Sequence, residues 1–323
     1  MPSLLDLLRQ TTQVDCDTLD AEVAQTLGPF ADCTSNQLCK PLHRTLVQQA
    51  AADASRLRHL QPPASPGEFI VDILMVKLQL LVVPHLSGYV HVQTNPRLAY
   101  STQGTLANAR RIVALFQALS DVGPGRVCVK IPATWEGLQA CRVLQKEGIA
   151  TLATTMFCME QAALAGHVGC TYIAPYVNEL KVHFEDGYVD PSPSFPFTRL
   201  SQHYYAAHAL RTQVLAASLT STDQVMQLAG VHHITVAPPL LRQLAATDAA
   251  SWTGSLGTYL AQPVSLDAEY DAILDDESAW RLAFARSAFG ASEAKLVQAI
   301  NYFCDFQEKM EALVAGVGSL HGQ

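Results

Sequence analysis

Short apolar runs along the chain alternate with stretches that have the periodicity of amphipathic helices. The runs are almost continuously apolar, which is typical of parallel strands covered on both faces. Helical spacing is clearest over residues 135–147, 159–165 and 222–229. The pattern predicts strands at residues 13–18, 29–35, 88–94, 126–132, 149–156, 171–177, 213–219 and 233–237.

Strands that alternate with helices in this way predict the α/β class, and eight of them predict one closed (β/α)8 barrel of the TIM type. Such barrels use about 250 residues or more as a single unit. We therefore predict one domain over residues 1–323. A final helical stretch at residues 293–317 is expected to extend beyond the barrel.

Two proline-rich stretches, at residues 61–67 and 190–197, are predicted to be loops because proline has no backbone N–H to donate. The second stretch follows the sixth strand, so it lies at the rim formed by the carboxyl ends of the strands. The sequence fits two interpretations of it, a lid over a site at that rim or an ordinary surface connection.

Composition and charge narrow the classes of function. Of the 323 residues, 49% are hydrophobic and 15% are charged, which is typical of a chain with a large buried core. The net charge is −8 and the basic residues form no stripe, so nucleic-acid binding is not expected. The longest apolar run, at residues 73–83, is interrupted by Lys77 and Gln79 and does not predict a membrane span. A small molecule is the expected partner.

The amino-terminal residues and the cysteines indicate the cytoplasm. The first residues have neither a basic start nor a long apolar segment, so we expect no secretory signal. The eight cysteines are scattered without a CxxC pair, which favours reduced, buried thiols over disulfides or a metal site.

Lys130 lies inside an otherwise apolar predicted strand, in the segment RVCVKIPATWEG at residues 126–137. A lysine is rarely buried, because removing its charge from water is costly. Burial lowers the pKa of an amine, and a neutral amine is the nucleophile that attacks a ketone or an aldehyde. The alternative is a lysine with a buried stem whose ammonium reaches solvent or pairs with Asp17 or Glu136.

Further polar residues fall at the carboxyl ends of other predicted strands, where the active sites of barrels lie. Any one of them alone is typical of a structural role, such as capping the next helix. Together they predict a polar ring around the Lys130 amine, which a packed barrel core does not need. The ring comprises Asp17, Thr34, Ser35, Asn36, His91, Gln93, Asn95, Thr154, Tyr176 and Ser218.

These segments resemble the transaldolase family, which includes the smaller fructose-6-phosphate aldolases. The most specific match is VKIPATWEGLQACRVLQKEGI, which resembles the Schiff-base lysine motif. The similarity continues through LRQTTQVDCDTLD, ADCTSNQL, TLATTMF, YIAPYVN, LAASL and ITVAPPLL. It covers essentially the whole chain, and the length resembles that of classical transaldolases.

The resemblance implies a role for each matching residue. Lys130 would form the imine, and Asp17 would handle the proton of the substrate hydroxyl as the carbon–carbon bond breaks or forms. Thr154 would help to position the catalytic water. The hydroxyls of a dihydroxyacetone-like donor would be held by Thr34, Asn36 and Ser218.

Four positions depart from the transaldolase pattern and resemble fructose-6-phosphate aldolases instead. Gln93 stands where transaldolases carry an acid/base glutamate, and Tyr176 and Ala174 stand where they usually have phenylalanine and serine. Leu152 follows the same aldolase pattern. A neutral glutamine can only orient water, so the Tyr176 phenol is the expected acid/base. The alternative is a core tyrosine with a satisfied hydroxyl.

The phosphate-binding positions also differ. Where transaldolases carry two phosphate-binding arginines, this chain has Glu179 and Thr220. Charge-assisted arginine–phosphate bonds are each worth about 1.5–3 kcal/mol, whereas a carboxylate repels a phosphate dianion. We therefore expect weak binding of ordinary sugar phosphates. Lys181 is a possible compensating charge, and Glu179 is alternatively a solvated rim charge or a partner for an amine or for hydroxyls.

The sequence as a whole predicts a class I enzyme that makes, breaks or transfers a C–C bond through a Lys130 imine, on a carbonyl substrate that lacks the usual phosphate. No cofactor or metal is implied, because the imine itself provides the electron sink. The resemblance also implies a homodimer. Two alternatives remain open, an ordinary pentose-phosphate transaldolase and a catalytically silent barrel that acts as a binding module. The role of His91 is left undecided.

Overall fold

A computed structural model describes residues 1–35, 44–266 and 268–318. Its parallel strands pair in sequential order, and the last pairs with the first, which closes a barrel. The predicted (β/α)8 class is therefore confirmed. The strands are β1 Gln13–Asp17, β2 Cys33–Thr34, β3 Val90–Gln93, β4 Val127–Pro132, β5 Ala150–Met156, β6 Tyr172–Pro175, β7 Gln213–Ala216 and β8 His233–Val236.

Helices connect these strands and cover the barrel. They are α1 Leu4–Leu8, α2 Ala21–Leu27, α3 Arg44–Arg56, α4 Pro66–Val82, α5 Thr102–Leu119, α6 Trp135–Lys146, α7 Met159–His167, α8 Phe195–Ala207, α9 Thr222–Gln227, α10 Pro238–Ala246, α11 Thr258–Ala261, α12 Glu277–Arg286 and α13 Ala291–Gly318. The helix α13 confirms the predicted C-terminal extension, and it packs against α3, α4 and β5. Across the described residues, no helix combines the length and the apolar character that crossing a membrane requires.

Both proline-rich stretches end inside a helix, so the loop predictions are wrong at those residues. Pro66 opens α4, where Ser65 caps the helix and exchanges hydrogen bonds with Glu68 in a capping box. The second stretch enters α8 at Phe195. Proline is tolerated in a first helical turn, because the N–H that it lacks would have no partner within the helix there.

Strand β2 is much shorter than the predicted 29–35, because carboxylates replace part of its backbone pairing. The Asp15 carboxylate accepts the backbone N–H of Asp32 at 2.9 Å. The Asp32 carboxylate in turn accepts the backbone N–H of Tyr89 at 2.7 Å. These side chains satisfy backbone donors at the start of the barrel, where a regular ladder would otherwise run.

A buried polar network fills the lower part of the barrel interior. Asp15 pairs with His233 at 3.0 Å, and Asp32 pairs with His91 at 2.7 Å. The Tyr172 ring lies between the two imidazoles, with centroid distances of 5.3 Å to His91 and 5.0 Å to His233. His91, whose role the sequence leaves undecided, thus makes its hydrogen bond to Asp32 in the barrel core.

Three residues of this network lie close enough to bind a metal ion, a grouping that the sequence did not predict. One ligand atom from each of Asp15, Asp32 and His233 lies within 4.8 Å of the others. The same atoms already form the hydrogen bonds to His233, to His91 and to the two backbone N–H groups. We therefore interpret the group as a structural ion-pair network.

Replacing His233 with leucine is expected to lower the free energy of unfolding by about 3–5 kcal/mol, because it leaves the Asp15 carboxylate buried without its partner. Urea unfolding of the wild type and the variant measures the difference. Glu147→Gln is the control, since it breaks an exposed pair with Arg110 that is worth about 1 kcal/mol or less. Equal losses in the two variants would contradict a stabilising role for the network.

Candidate active site

Lys130 is buried in the centre of the barrel mouth. It lies on β4 with 5% of its surface exposed, and its Cα pairs with Gln93 on β3 and with Leu152 on β5. Its Nζ atom lies 5.8 Å from the centre of the Phe303 ring of α13. The alternative partner Glu136 pairs with Arg281 instead. The lysine is thus held inside the barrel, beneath a helix that crosses the mouth.

Asp17 and Thr34 lie side by side at the ends of β1 and β2. The Thr34 hydroxyl donates to the Asp17 carboxylate at 3.3 Å and lies 2.7 Å from the Thr235 hydroxyl of β8. Burial raises the pKa of Asp17, and the nearby Lys130 and His183 offset part of this rise. A carboxyl tuned in this way is suited to taking up and returning a proton. Asn36 lies outside the described residues.

Tyr176 and Thr154 form a second buried pair. Their hydroxyls lie 3.2 Å apart, between the ends of β5 and β6. The Phe157 ring packs edge-on against the Tyr176 ring, with centroids 5.9 Å apart. The phenol is thus fixed in direction, which is what the acid/base role would require.

The amide of Gln93 is the second polar group beside Lys130. The side chain is buried, and neither its nitrogen nor its oxygen has a hydrogen-bond partner among the described residues. Buried amides are normally hydrogen-bonded, so an unpaired one beside a candidate nucleophile is typical of a group that faces substrate or water. Leu152 on β5 and Ala174 on β6 are also buried, and their side chains are apolar.

Ser218 follows β7 in a left-handed backbone conformation, with φ of 61°. Its carbonyl accepts hydrogen bonds from the backbone N–H of Asn178 at 3.1 Å and from the side-chain amide of Asn178 at 2.7 Å. Its hydroxyl lies 2.9 Å from Nε2 of His183. Non-glycine residues in this conformation are costly and concentrate at functional sites. Ser218 is therefore held at the mouth by several contacts.

Thr220 is turned away from this group. It is exposed, and both its backbone N–H and its hydroxyl donate to the side-chain oxygen of Gln224 in α9, at 2.9 Å and 3.1 Å. Both donors of Thr220 are therefore used in a local contact at the start of a helix, and its role as a substrate contact stays a prediction.

Glu179 is buried at the rim, with 8% of its surface exposed, so the interpretation as a solvated charge is wrong. Its carboxylate accepts hydrogen bonds from the Tyr188 hydroxyl and, at 3.2 Å, from the Gln298 amide of α13. Lys181 pairs with Glu185 at 3.1 Å rather than with Glu179. The rim here presents a carboxylate held by neutral donors.

The proline-rich segment at residues 190–197, for which the sequence fits a lid or a surface connection, is bound to α13 at its start. The buried Asp190 accepts the backbone N–H groups of Glu179 and Ser192, both at 2.8 Å. Lys295 of α13 pairs with the same carboxylate at 3.3 Å. These contacts join the start of the segment to the turn after β6 and to α13.

Three residues of the site were missed by the sequence reasoning. Thr235 lies two residues after His233 on β8, so the two side chains face the same side of the strand. This period of two is a signal that would have placed Thr235 inside the barrel. His183 lies in an irregular turn and Phe303 lies in a long helix. Neither carries a local signal, because only the tertiary fold brings them to the mouth.

A buried amine on a barrel strand, with a carboxyl and hydroxyls on neighbouring strand ends, defines a class of enzyme that attacks carbonyl compounds with lysine. The chain matches the family model described as transaldolase/fructose-6-phosphate aldolase over residues 14–311. That match spans nearly the whole chain, so the protein belongs to this family. It is an enzyme of the class I, Schiff-base type, a transferase or a lyase.

Proposed function

We propose that the enzyme makes, breaks or transfers the C–C bond of a ketol substrate through a Schiff base at Lys130. The observation that carries this proposal is the burial of the Lys130 side chain at the barrel mouth, within electrostatic reach of the Asp17 carboxyl. A scaffold protein gains nothing from a buried amine, because its desolvation is unfavourable. This argues against a silent barrel.

The proposed reaction begins when the lone pair of the Lys130 amine attacks the ketone carbon. Tyr176 supplies a proton as water leaves, which gives a protonated imine. Asp17 then takes the proton from the hydroxyl beyond the scissile bond. The electron pair of that C–C bond moves into the imine and forms an enamine, while an aldehyde departs. In transfer, the enamine adds to a second aldehyde and Asp17 returns the proton. In cleavage, Asp17 passes its proton to the enamine carbon. Water then adds to the resulting imine and releases the ketone from Lys130, and the proton freed in this step returns to Tyr176.

Tyr176 is proposed to supply the acid/base chemistry for the water that leaves and returns. Its hydroxyl is fixed by the contact with Thr154 and by packing against Phe157. Gln93, which is uncharged, would orient the same water without exchanging protons. Together with Ala174, these residues follow the pattern that resembles fructose-6-phosphate aldolases, which favours cleavage or simple addition as well as transfer.

The physiological substrate is proposed to lack the usual phosphate. Glu179 places a buried carboxylate at a position where the resemblance expects an arginine, and Lys181 is paired with Glu185. A phosphate dianion near Glu179 would be repelled in an environment of low dielectric constant. Hydroxyls or an amine would instead be attracted. We further propose that the enzyme acts in the cytoplasm as a homodimer in specialised metabolism.

Borohydride trapping with peptide mass spectrometry tests this function. The protein is offered fructose 6-phosphate, dihydroxyacetone and hydroxyacetone separately, with Lys130→Met as the control. We expect an adduct on Lys130 from the unphosphorylated ketones and little from the sugar phosphate. Efficient trapping by fructose 6-phosphate would restore an ordinary pentose-phosphate transaldolase. Failure of every ketone to form an adduct would overturn the proposed function.

The phosphate argument makes a separate prediction about Glu179. Replacing Glu179 with glutamine is expected to lower the half-saturating concentration of fructose 6-phosphate in the trapping reaction by roughly tenfold, because a buried negative charge is removed. The half-saturating concentration of dihydroxyacetone should change little. Asp186→Asn is the matched control, since it removes an exposed carboxylate from the same segment and leaves the Lys181–Glu185 pair intact. A similar change for both ligands, or for both variants, would contradict the electrostatic explanation.

A further inference from the structure

His183 brings an imidazole from the turn after β6 to Ser218, which follows the neighbouring strand β7. It is the last residue of the 3₁₀ turn Leu180–His183. Its Nε2 atom lies 2.9 Å from the hydroxyl oxygen of Ser218, and the ring interacts electrostatically with Asp17. The imidazole therefore interacts both with the Asp17 carboxyl and with the Ser218 hydroxyl.

The turn that carries His183 is held in place by α13. The adjacent Phe184 packs on Tyr302 with ring centroids 4.4 Å apart and on Phe306 with centroids 5.5 Å apart. Ser218, on the other side of the contact, is fixed through its backbone carbonyl by Asn178. Although His183 is itself exposed, the hydrogen bond thus joins two anchored elements.

The hydrogen bond restricts what Ser218 can offer a substrate. Removal of water from the ring lowers the pKa of His183, and the Asp17 carboxyl offsets part of this effect. A neutral imidazole has one donor nitrogen and one acceptor nitrogen. If Nε2 accepts, the Ser218 hydroxyl keeps only its lone pairs for a ligand; if Nε2 donates, the hydroxyl hydrogen is directed outward. In either tautomer the serine is oriented and prepared for a polar ligand.

We propose that His183 is a positioning residue that makes the Ser218 hydroxyl selective for ketone donors with a hydroxyl on the carbon remote from the new bond. Dihydroxyacetone has that hydroxyl, whereas hydroxyacetone has a methyl group there. A site built to hydrogen-bond a hydroxyl rejects an analogue without it, because its own polar groups are then left unpaired. This proposal rests on the proposed imine function. The dihydroxyacetone-like donor is what the resemblance implies, and the proposal adds His183 as the residue that positions Ser218 for it.

The test compares dihydroxyacetone with hydroxyacetone in the borohydride trapping of Lys130. The measured quantity is the ratio of the two half-saturating concentrations. We expect the wild type to prefer dihydroxyacetone by about tenfold or more. His183→Leu should bring the ratio close to one, mainly by weakening dihydroxyacetone. His183→Gln should restore most of the preference, because the amide can again hydrogen-bond the Ser218 hydroxyl.

His208→Leu is the matched control. This exposed histidine follows α8 and precedes β7, so it lies at the end of the barrel where the strands begin. The ratio of the two half-saturating concentrations in His208→Leu should equal that of the wild type. An unchanged ratio in His183→Leu would overturn this proposal alone, and so would an equal loss of both ketones, which indicates a merely structural role. Absence of any trapping in the wild type would overturn the proposed function and this proposal together.

Discussion

Replacement of Lys130 by methionine is expected to abolish borohydride trapping and to reduce kcat by at least about 10⁴-fold, because the group that forms the covalent intermediate is lost. The remaining site can still bind the substrate by hydrogen bonds. It has no electron sink into which the electrons of the C–C bond can move. Rates of aldehyde release and mass spectra of the trapped peptide measure the two effects independently.

The same substitution is a sharp test because it should leave the fold intact. Methionine matches the length of the lysine stem, and it removes a buried amine whose desolvation is unfavourable. We expect the thermal midpoint of the variant to lie close to that of the wild type, because this gain is offset by the loss of the Lys130 charge near Asp17. Retention of more than about one hundredth of the activity in a folded variant would place the imine elsewhere, or remove it from the mechanism.

Replacement of Tyr176 by phenylalanine is expected to lower kcat by about 10²–10⁴-fold, the usual contribution of a positioned acid/base. The ring would keep its edge-on packing against Phe157, and only the hydroxyl that contacts Thr154 would be lost. Since Lys130 is retained, an adduct should still form when the trapping reaction is given more time. Steady-state rates and the time course of trapping distinguish slow proton transfer from a lost nucleophile.

A second variant separates the acid/base role of Tyr176 from a packing role. The resemblance to transaldolases pairs phenylalanine at this position with a glutamate at the position of Gln93. Adding Gln93→Glu to Tyr176→Phe should therefore recover part of the lost rate, because a carboxylate can exchange protons with water and an amide cannot. Full activity of the single Tyr176→Phe variant would instead support the core tyrosine alternative.

The barrel was predictable from the sequence because most of its strands have a recognisable local sequence pattern. Short β-rich runs separated by amphipathic stretches occur where the structure has β1 and β3 to β8, with ends that differ by only a few residues. The prediction failed most at β2, which the structure limits to Cys33–Thr34. There the carboxylates of Asp15 and Asp32 replace backbone partners, and no periodicity can reveal a contact between different strands.

Within the candidate site, the sequence alone singled out Lys130, because a cationic side chain inside an apolar strand is improbable without a function. It also brought forward Asp17, Thr34, Thr154 and Tyr176, since each lies at the end of a strand and parallel strands end at one rim. The structure places these residues around the mouth. Their chemical roles stay predictions until the variants above are measured.

Only the tertiary structure decided what surrounds those residues. It places Phe303 of α13 over the Lys130 amine, sets His183 against Ser218, and encloses Glu179 between Tyr188 and Gln298. The physical reason is the range of each signal. Strand and helix periodicity record whether a residue faces its own core, whereas these contacts join side chains that are more than a hundred positions apart or lie in turns without a period.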